Sequence, residues 1–186
     1  GVITGGHPAS SPYPATDEMQ FITIASLGDA TDFGDLNTSM VSHYSGGDKT
    51  RAIVGASESG NSNVIEYYTI QSLGDSVDFG DRASGQYKYA TGSVASTTRG
   101  LIMGGYDVPS AATVNNIDFL TIQTLGNTQE FGDMTISGSS QGTASNATMV
   151  VSPYNCDRSI KITRNRVIIL ERPPSCFENF AHRINE

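Results

Sequence analysis

Short segments in which apolar and polar residues alternate follow one another along residues 1–134, without a 3.6-residue helical period. Residues 90–134 show the pattern most clearly. They divide into ATGSVAST, RGLIMGGY, NNIDFLTIQT and TQEFGDM, and glycine or other turn-forming residues separate neighbouring segments. Segments of this length and alternation are typical of antiparallel strands joined by tight turns. The pattern therefore predicts four short strands in this part of the chain.

A fourteen-residue phrase occurs three times and gives the period of this pattern. It reads TIASLGDATDFGDL at residues 23–36, TIQSLGDSVDFGDR at 69–82 and TIQTLGNTQEFGDM at 121–134. The copies are 46 and 52 residues apart, and a four-stranded unit repeated at that interval is typical of a β-propeller blade. The pattern predicts three repeat units, at residues 1–36, 37–82 and 83–134, and an extra strand at residues 143–151. Together they form a repeat region of residues 1–152.

The units resemble kelch repeats, in particular the divergent kelch-like units of virion proteins of tailed bacteriophages. Three features carry the resemblance: Gly-Gly pairs, an arginine ahead of the diglycine strand, and an aromatic residue in the following strand. They are found at Gly5-Gly6 and Gly104-Gly105, at Arg51 and Arg99, and at Tyr67 and Phe119. In addition, Phe33, Phe79 and Phe131 stand where ordinary kelch units often have a Trp.

The resemblance covers about residues 1–152 and implies an all-β fold of kelch-like β-propeller blades. About three four-stranded antiparallel blades are expected. Three blades are too few for a ring, because propellers typically have four to eight. We therefore expect other segments, or oligomerisation, to complete the ring. The last-strand phenylalanine is expected to pack between adjacent sheets.

The acidic residues of the phrase allow two interpretations. Asp and Asn side chains cap turns by accepting hydrogen bonds from local N–H groups. Asp35, Asp81 and Asp133, which follow Phe-Gly in each copy, are then expected to fix the bend out of the strand. Alternatively, carboxylates could converge on calcium. The residues of that alternative site are Asp29, Asp32, Asp75 and Asp78. The phrase lacks the spacing of an EF-hand loop, so the sequence favours turn capping and predicts no cofactor.

The loops between the second and third strands differ among the units, although the strands agree. They occupy residues 7–18, 57–63 and 106–115, and all should emerge on one face of the molecule. Variable polar loops with aromatic residues on a rigid scaffold suit the binding of a glycan or receptor. The candidate binding residues are His7, Tyr13, Asn61, Asn63, Tyr106 and Asn115.

Charge and motifs exclude several function classes. The formal net charge of −8 argues against a nucleic-acid partner, and the chain lacks the run of about 18 apolar residues that a membrane-spanning helix needs. The sequence contains no nucleophile elbow or P-loop, and no carboxylate pair stands out. These observations predict a protein that is not an enzyme.

Together with the resemblance, they predict a structural or adhesion module of a phage virion, in the tail or a fibre, at the virion surface or in the extracellular space. The expected partners are other virion proteins or copies of the chain itself, and a host glycan or receptor. One alternative is a secreted or cell-surface bacterial adhesin or an extracellular filament subunit. The other is a carbohydrate-active enzyme on a propeller scaffold.

Residues 153–186 belong to no repeat and differ in charge. Residues 157–186 carry six Lys and Arg against four Asp and Glu, whereas residues 1–156 carry five against fifteen. Two strand-like segments, SIKIT and RVIIL, flank Arg164-Asn165 and predict a hairpin. Cys156 and Cys176 could form a disulfide in an oxidising compartment or remain reduced.

Overall fold

The computed structural model describes residues 1–7, 14–55, 63–85, 87–88, 92–140, 142–145, 150–151, 158–163 and 166–171. Within these ranges the chain consists of strands and connecting turns. They include no helix, and therefore none long and apolar enough to cross a membrane. Contacts within the chain divide it into two units, Gly1–Val151 and Ser152–Glu186.

Three antiparallel sheets follow one another in chain order in the described part of the first unit. Sheet one contains β1 (Val2–Thr4), β2 (Thr16–Phe21) and β3 (Thr31–Met40). Sheet two contains β4 (Tyr44–Gly47), β5 (Arg51–Gly55), β6 (Val64–Thr69) and β7 (Val77–Asp81). Sheet three contains β8 (Tyr87–Lys88), β9 (Gly92–Ala95), β10 (Arg99–Asp107), β11 (Ala112–Thr121) and β12 (Gln129–Asp133).

The strand order repeats from sheet to sheet. Sheet two has the order β4-β5-β6-β7; sheet three has β10 paired with both β8 and β9, and then β11 and β12. Strands β1, β2 and β3 of sheet one correspond to β5, β6 and β7. Among the described residues, sheet one has no counterpart of β4. The predicted all-β, antiparallel architecture is confirmed, and none of these described sheets closes on itself.

Two short hairpins follow the three sheets. Strand β13 (Ala144–Ser145) pairs with β14 (Val150–Val151), where the sequence predicted a single strand over residues 143–151. In the second unit, β15 (Arg158–Thr163) pairs with β16 (Arg166–Glu171), which confirms the predicted hairpin. Both cysteines lie outside the described residues.

Apolar side chains pack between neighbouring sheets and form two separate cores. The core between sheets one and two contains Met19 and Phe33 from one side and Val54 and Tyr68 from the other. The core between sheets two and three has the same construction and is formed by Tyr44, Ile53, Ile65, Phe79, Ile102, Leu120 and Ile122. The faces that sheets one and two, and sheets two and three, turn toward each other are therefore buried against one another.

The first glycine of each Gly-Gly pair lies against the chain segment at the end of the last strand of its sheet, or just after that strand. Gly5 and Gly104 have φ values of 57° and 67°. A Cβ atom on Gly5 would lie 2.4 Å from the carbonyl oxygen of Met40, and one on Gly104 would lie 2.5 Å from that of Gly138. These glycines therefore provide both a left-handed backbone and a close approach that a side chain would prevent.

Side-chain hydroxyl groups form hydrogen bonds between the first strands of successive repeat units. Ser93 on β9 donates a hydrogen bond to the carbonyl of Ser45 on β4 at 2.6 Å. Thr143, next to β13, donates to the carbonyl of Ser93 at 2.6 Å. Strands β4 and β9 and the start of the β13 hairpin therefore lie side by side, each linked to the preceding one.

Candidate functional site

The repeated phrase forms a connector between neighbouring sheets. Its Leu-Gly-Asp or Leu-Gly-Asn turn lies against the Phe-Gly-Asp strand of the preceding sheet, and four N–H groups bridge the two. Between sheets one and two the bonds are Gly74 N–H to the Phe33 carbonyl (2.8 Å), Asp35 N–H to Asp75 Oδ1 (3.0 Å), Ser76 N–H to the Asp35 carbonyl (2.8 Å) and Asn37 N–H to Ser76 Oγ (2.9 Å). We call this set of four bonds the connector.

The connector between sheets two and three reproduces the first bond by bond. Its bonds are Gly126 N–H to the Phe79 carbonyl (2.8 Å), Asp81 N–H to Asn127 Oδ1 (3.0 Å), Thr128 N–H to the Asp81 carbonyl (2.9 Å) and Ala83 N–H to Thr128 Oγ1 (2.9 Å). The third copy of the phrase has Asn in place of Asp at its turn and keeps the contact. This position therefore needs an oxygen acceptor rather than a charge.

The glycine of Phe-Gly-Asp makes room for the connector. Gly34 and Gly80 have φ values of 140° and 141°. A Cβ atom at these positions would lie 2.5 Å from the carbonyl of Gly74 and 2.6 Å from that of Gly126. A side chain would therefore push the two sheets apart, and the strained backbone also favours glycine.

Three acidic side chains of the phrase accept backbone N–H groups. Asp32 accepts from Gly34 at 3.1 Å, and Asp78 accepts from Gly80 at 3.0 Å, which fixes the bend in each strand. Asp75 accepts the N–H of Asp35 from the preceding sheet. These contacts support the turn-capping interpretation. Within the described ranges, no group of three or more His, Cys, Asp or Glu side chains could hold a metal ion. The prediction that the protein has no cofactor stays a prediction.

Asp35 and Asp81 act in the connectors rather than as caps of the bend, and the predicted role of Asp133 stays a prediction. The bend is capped by Asp32 and Asp78, while Asp35 and Asp81 use their main-chain N–H and carbonyl groups in the connectors. The side chain of Asp35 lines a shallow groove of about 330 Å³. Burial, and then the neighbouring carboxylates, raise the pKa of Asp35 above its ordinary value of 3.8.

Two buried carboxylates reinforce the connectors. Glu66 on β6 and Asp118 on β11 occupy the same register position, and each is 1% exposed. Glu66 accepts the N–H of Asn37 from sheet one at 3.0 Å. Asp118 forms an ion pair with Arg82, which follows β7. The sequence pattern did not predict these links, although both acids stand at the same place in VIEYYTI and NIDFLTI.

Arg51, one of the residues that carried the kelch resemblance, also links two sheets. Its guanidinium lies 4.1 Å from the centre of the Tyr67 ring and donates to the carbonyl of Ile122 at 2.9 Å. Nearby, Gln123 donates to Asp48 at 2.6 Å. Burial alone would raise the pKa of Asp48, but hydrogen bonds from the backbone and from this glutamine lower it to about 2.

The loop residues proposed for binding are only partly described. Tyr13 and Asn61 lie outside the described residues. His7 is exposed at the start of the first loop, and Tyr106 is half-buried on β10. The carbonyls of Asn63 and Asn115 each accept an N–H at 2.7 Å, from Arg82 and Met134. Asn115 also donates through Nδ2 to the Met134 carbonyl at 3.2 Å. These two asparagines therefore extend the strand pairing beside the loops.

Comparison with known proteins shows similarity of fold alone. No family model matches the chain, and no curated protein matches it. Among the solved structures that match is one titled "Structure of YjhT", with a TM-score of 0.62 and 9% sequence identity over 78% of this chain. The chain spans about half of that protein's chain, 53% of its length.

Proposed function

We propose that the three sheets are kelch-like β-propeller blades and that the protein is a non-enzymatic adhesion module of a phage virion, in the tail or a fibre. The observation that carries this proposal is the contrast between invariant connectors and varied loops. The four connector bonds recur in both junctions, whereas the loops at the end of the sheets differ in length and sequence. A rigid scaffold that presents variable loops is typical of a binding protein.

The strand order supports a common face for these loops. Strands β1, β5 and β10 occupy equivalent positions in successive sheets. The loop that follows each strand therefore emerges at the same end of its sheet. The turn before β10 lies at the other end, roughly 25 Å away at about 3.3 Å per residue. The two ends can therefore be tested separately.

The virion setting rests on the resemblance to kelch-like units of tailed-phage proteins. The likeness to YjhT supports a fold larger than three sheets, because this chain spans only 53% of that protein. In the virion, the partners of the present protein would be other virion proteins or further copies of the same chain. The setting can be checked separately, since tail or capsid genes should lie beside the gene for this protein.

A matched pair of substitutions tests the binding face. Ser110 is exposed in the turn between β10 and β11, and Thr97 is exposed in the turn between β9 and β10. We expect Ser110→Glu to weaken binding to a glycan array or to bacterial cells by at least about tenfold, because a charge at a contact face is costly to desolvate. Thr97→Glu should bind like the wild type. Absence of any binding, or an equal loss in both variants, would contradict the proposal.

A further inference from the structure

The last sheet carries half of a connector. Phe131 is 53% exposed, whereas Phe33 and Phe79 at the same position are 4% and 2% exposed. A Cβ atom on Gly132 would have no atom within 4 Å, although the equivalent Gly80 faces a carbonyl at 2.6 Å. The Phe-Gly-Asp strand of sheet three therefore matches the Phe-Gly-Asp strands of the two connectors. Among the described residues, however, no Leu-Gly-Asp or Leu-Gly-Asn turn lies against it.

The first sheet carries the complementary half. Ile3 is 53% exposed and Ile24 is 83% exposed. By strand register, Ile3 corresponds to Ile102, and Ile24 corresponds to Ile122 within the repeated phrase; both counterparts are fully buried. The Leu-Gly-Asp turn of sheet one, residues 27–29, is also exposed.

These residues define two apolar faces. The leading face lies on sheet one and consists of Ile3, Ile22, Ile24 and the turn at residues 27–29. The trailing face lies on sheet three and consists of Leu101, Ile117, Phe119 and Phe131. The same pair of faces meets twice inside the chain. In each core, the equivalent of the trailing face on one sheet packs against the equivalent of the leading face on the following sheet. The isoleucines of the leading face and Phe131 are exposed, and the other three residues of the trailing face are partly exposed. Apolar faces of this kind mark interaction surfaces.

We propose that the trailing face of one chain binds the leading face of a second copy of the same chain, through the same connector that joins its own sheets. Each face is half of an interface that the chain already forms twice. The occupant that matches both its apolar residues and its turn is therefore the chain itself. This inference rests on the observed connectors and does not depend on a virion role.

The chemistry of the two faces allows most of the connector bonds. Across the two copies, Gly28 N–H would donate to the Phe131 carbonyl, Asp133 N–H to the Asp29 carboxylate, and Ala30 N–H to the Asp133 carbonyl. The fourth bond is missing, because Ala30 replaces the hydroxyl residues Ser76 and Thr128. The interface between copies should therefore be weaker than the junctions inside the chain.

An arginine next to the trailing face supports the match. Inside the chain, Arg51 stacks on Tyr67 and donates to the carbonyl of Ile122. Arg99 is the equivalent residue in sheet three; its guanidinium lies 4.7 Å from the centre of the Phe119 ring, and the side chain is exposed. In the proposed interface, Arg99 would donate to the carbonyl of Ile24 in the second copy.

The association is head-to-tail, because two different faces meet. Such an interface forms a closed ring or an open filament, depending on the rotation between copies. Two copies with three sheets each would supply six blades, within the range of four to eight seen in closed propellers. We therefore expect a closed pair.

Native mass spectrometry and sedimentation velocity of the full chain test the proposal with two variants. Ile24→Asp alters the leading face, and Phe131→Asp alters the trailing face; both side chains are exposed in the single chain, so each variant should fold. We expect a two-copy mass for the wild type and a one-copy mass for each variant. Leu73→Asp is the matched control, because Leu73 is 66% exposed beside a connector that is already closed.

Mixing the two variants gives the deciding result. One variant keeps an intact trailing face and the other keeps an intact leading face, so the mixture should form a mixed pair that neither variant forms alone. A wild-type chain that is monomeric at the highest soluble concentration would overturn the proposal. So would dissociation by only one of the two substitutions, which would indicate that one face pairs with itself. Circular dichroism of each variant verifies that it is folded.

Discussion

At the scale of single residues, His43 lies beside the diglycine bend of sheet one. Its Nε2 is 2.7 Å from the hydroxyl oxygen of Thr4, and burial lowers the pKa of His43 below its ordinary value of 6.5. The unfolded chain therefore binds a proton at a higher pH than the folded chain does. The free energy of unfolding should fall as the pH decreases through 6.5, until the folded histidine is protonated as well.

Denaturant unfolding between about pH 8 and pH 5 measures this effect. We expect the pH dependence of the free energy of unfolding to be shallower in His43→Gln than in the wild type. His7→Gln is the control for the loss of a histidine as such, because His7 is exposed. Wild-type and His43→Gln curves that run parallel across the whole range would show that His43 does not titrate differently in the two states.

Position within the repeat decides what the same residue does. Phe33, Phe79 and Phe131 each follow an acidic residue and precede Gly-Asp, yet two are buried and the third is 53% exposed. Asp75 and Asn127 accept the same N–H bond, whereas Asp29 in the first copy has the same local sequence at an exposed turn. Local sequence therefore sets the shape of the turn, and the neighbouring sheet sets its role.

At the scale of elements, the connectors hold neighbouring sheets together through hydrogen bonds from backbone N–H groups. A single connector side chain can be tested at Asn127, whose Oδ1 accepts the N–H of Asp81 at 3.0 Å. Asn127→Ala should lower the free energy of unfolding by about 1 kcal/mol, the net worth of one hydrogen bond. Chemical denaturation would measure the change, in a chain that also carries Phe131→Asp so that association does not contribute.

Asp29→Ala in the same background is the matched control. Asp29 occupies the equivalent position in the first copy of the phrase, and in the described part of the chain no sheet lies ahead of sheet one to donate to it. Its removal should change the free energy of unfolding by less than about 0.5 kcal/mol, as is usual for surface positions. Equal losses in the two variants would mean that these residues act only within their own turns.

The sequence predicted elements more successfully than junctions. The four strands of residues 90–134 and the β15–β16 hairpin were predictable, because alternation and turn residues are local signals. The phrase was predicted to be a turn between two strands, and that holds. Its second role, as a connector to the preceding sheet, depends on pairing residues about 40 apart, such as Asp35 with Asp75. Nothing in the local pattern specifies such a partner.

The buried polar links were missed for a related reason. A carboxylate in an apolar strand is compatible with either strand face until the packing is known. Only the packing of neighbouring sheets shows that Glu66 meets Asn37 and that Asp118 meets Arg82. The predicted loops were too long. Residues 16–18 of the first lie in β2, and residues 106–107 and 112–115 of the third lie in β10 and β11. The contacts of Asn63 and Asn115 with the strand ladder could not be predicted either.

At the scale of the whole molecule, the two proposals combine into a prediction about avidity. In a closed head-to-tail pair, both copies share the rotation axis of the ring, so their loops face the same side. Two sets of loops could then contact one surface together. Binding of the second set becomes intramolecular, which raises the apparent affinity for a dense surface by about 100-fold or more.

Phe131→Asp separates the effect of pairing from the effect of the loops. This variant should bind a ligand-coated surface about 100-fold more weakly than the wild type, because it presents one set of loops. Its affinity for the same ligand free in solution should be unchanged, since Phe131 lies on the trailing face rather than in a loop. Leu73→Asp should behave like the wild type in both assays. Surface plasmon resonance and solution calorimetry supply the two measurements. A parallel loss in solution would show that the substitution damages the binding loops, and equal surface binding by variant and wild type would show that the copies do not act together.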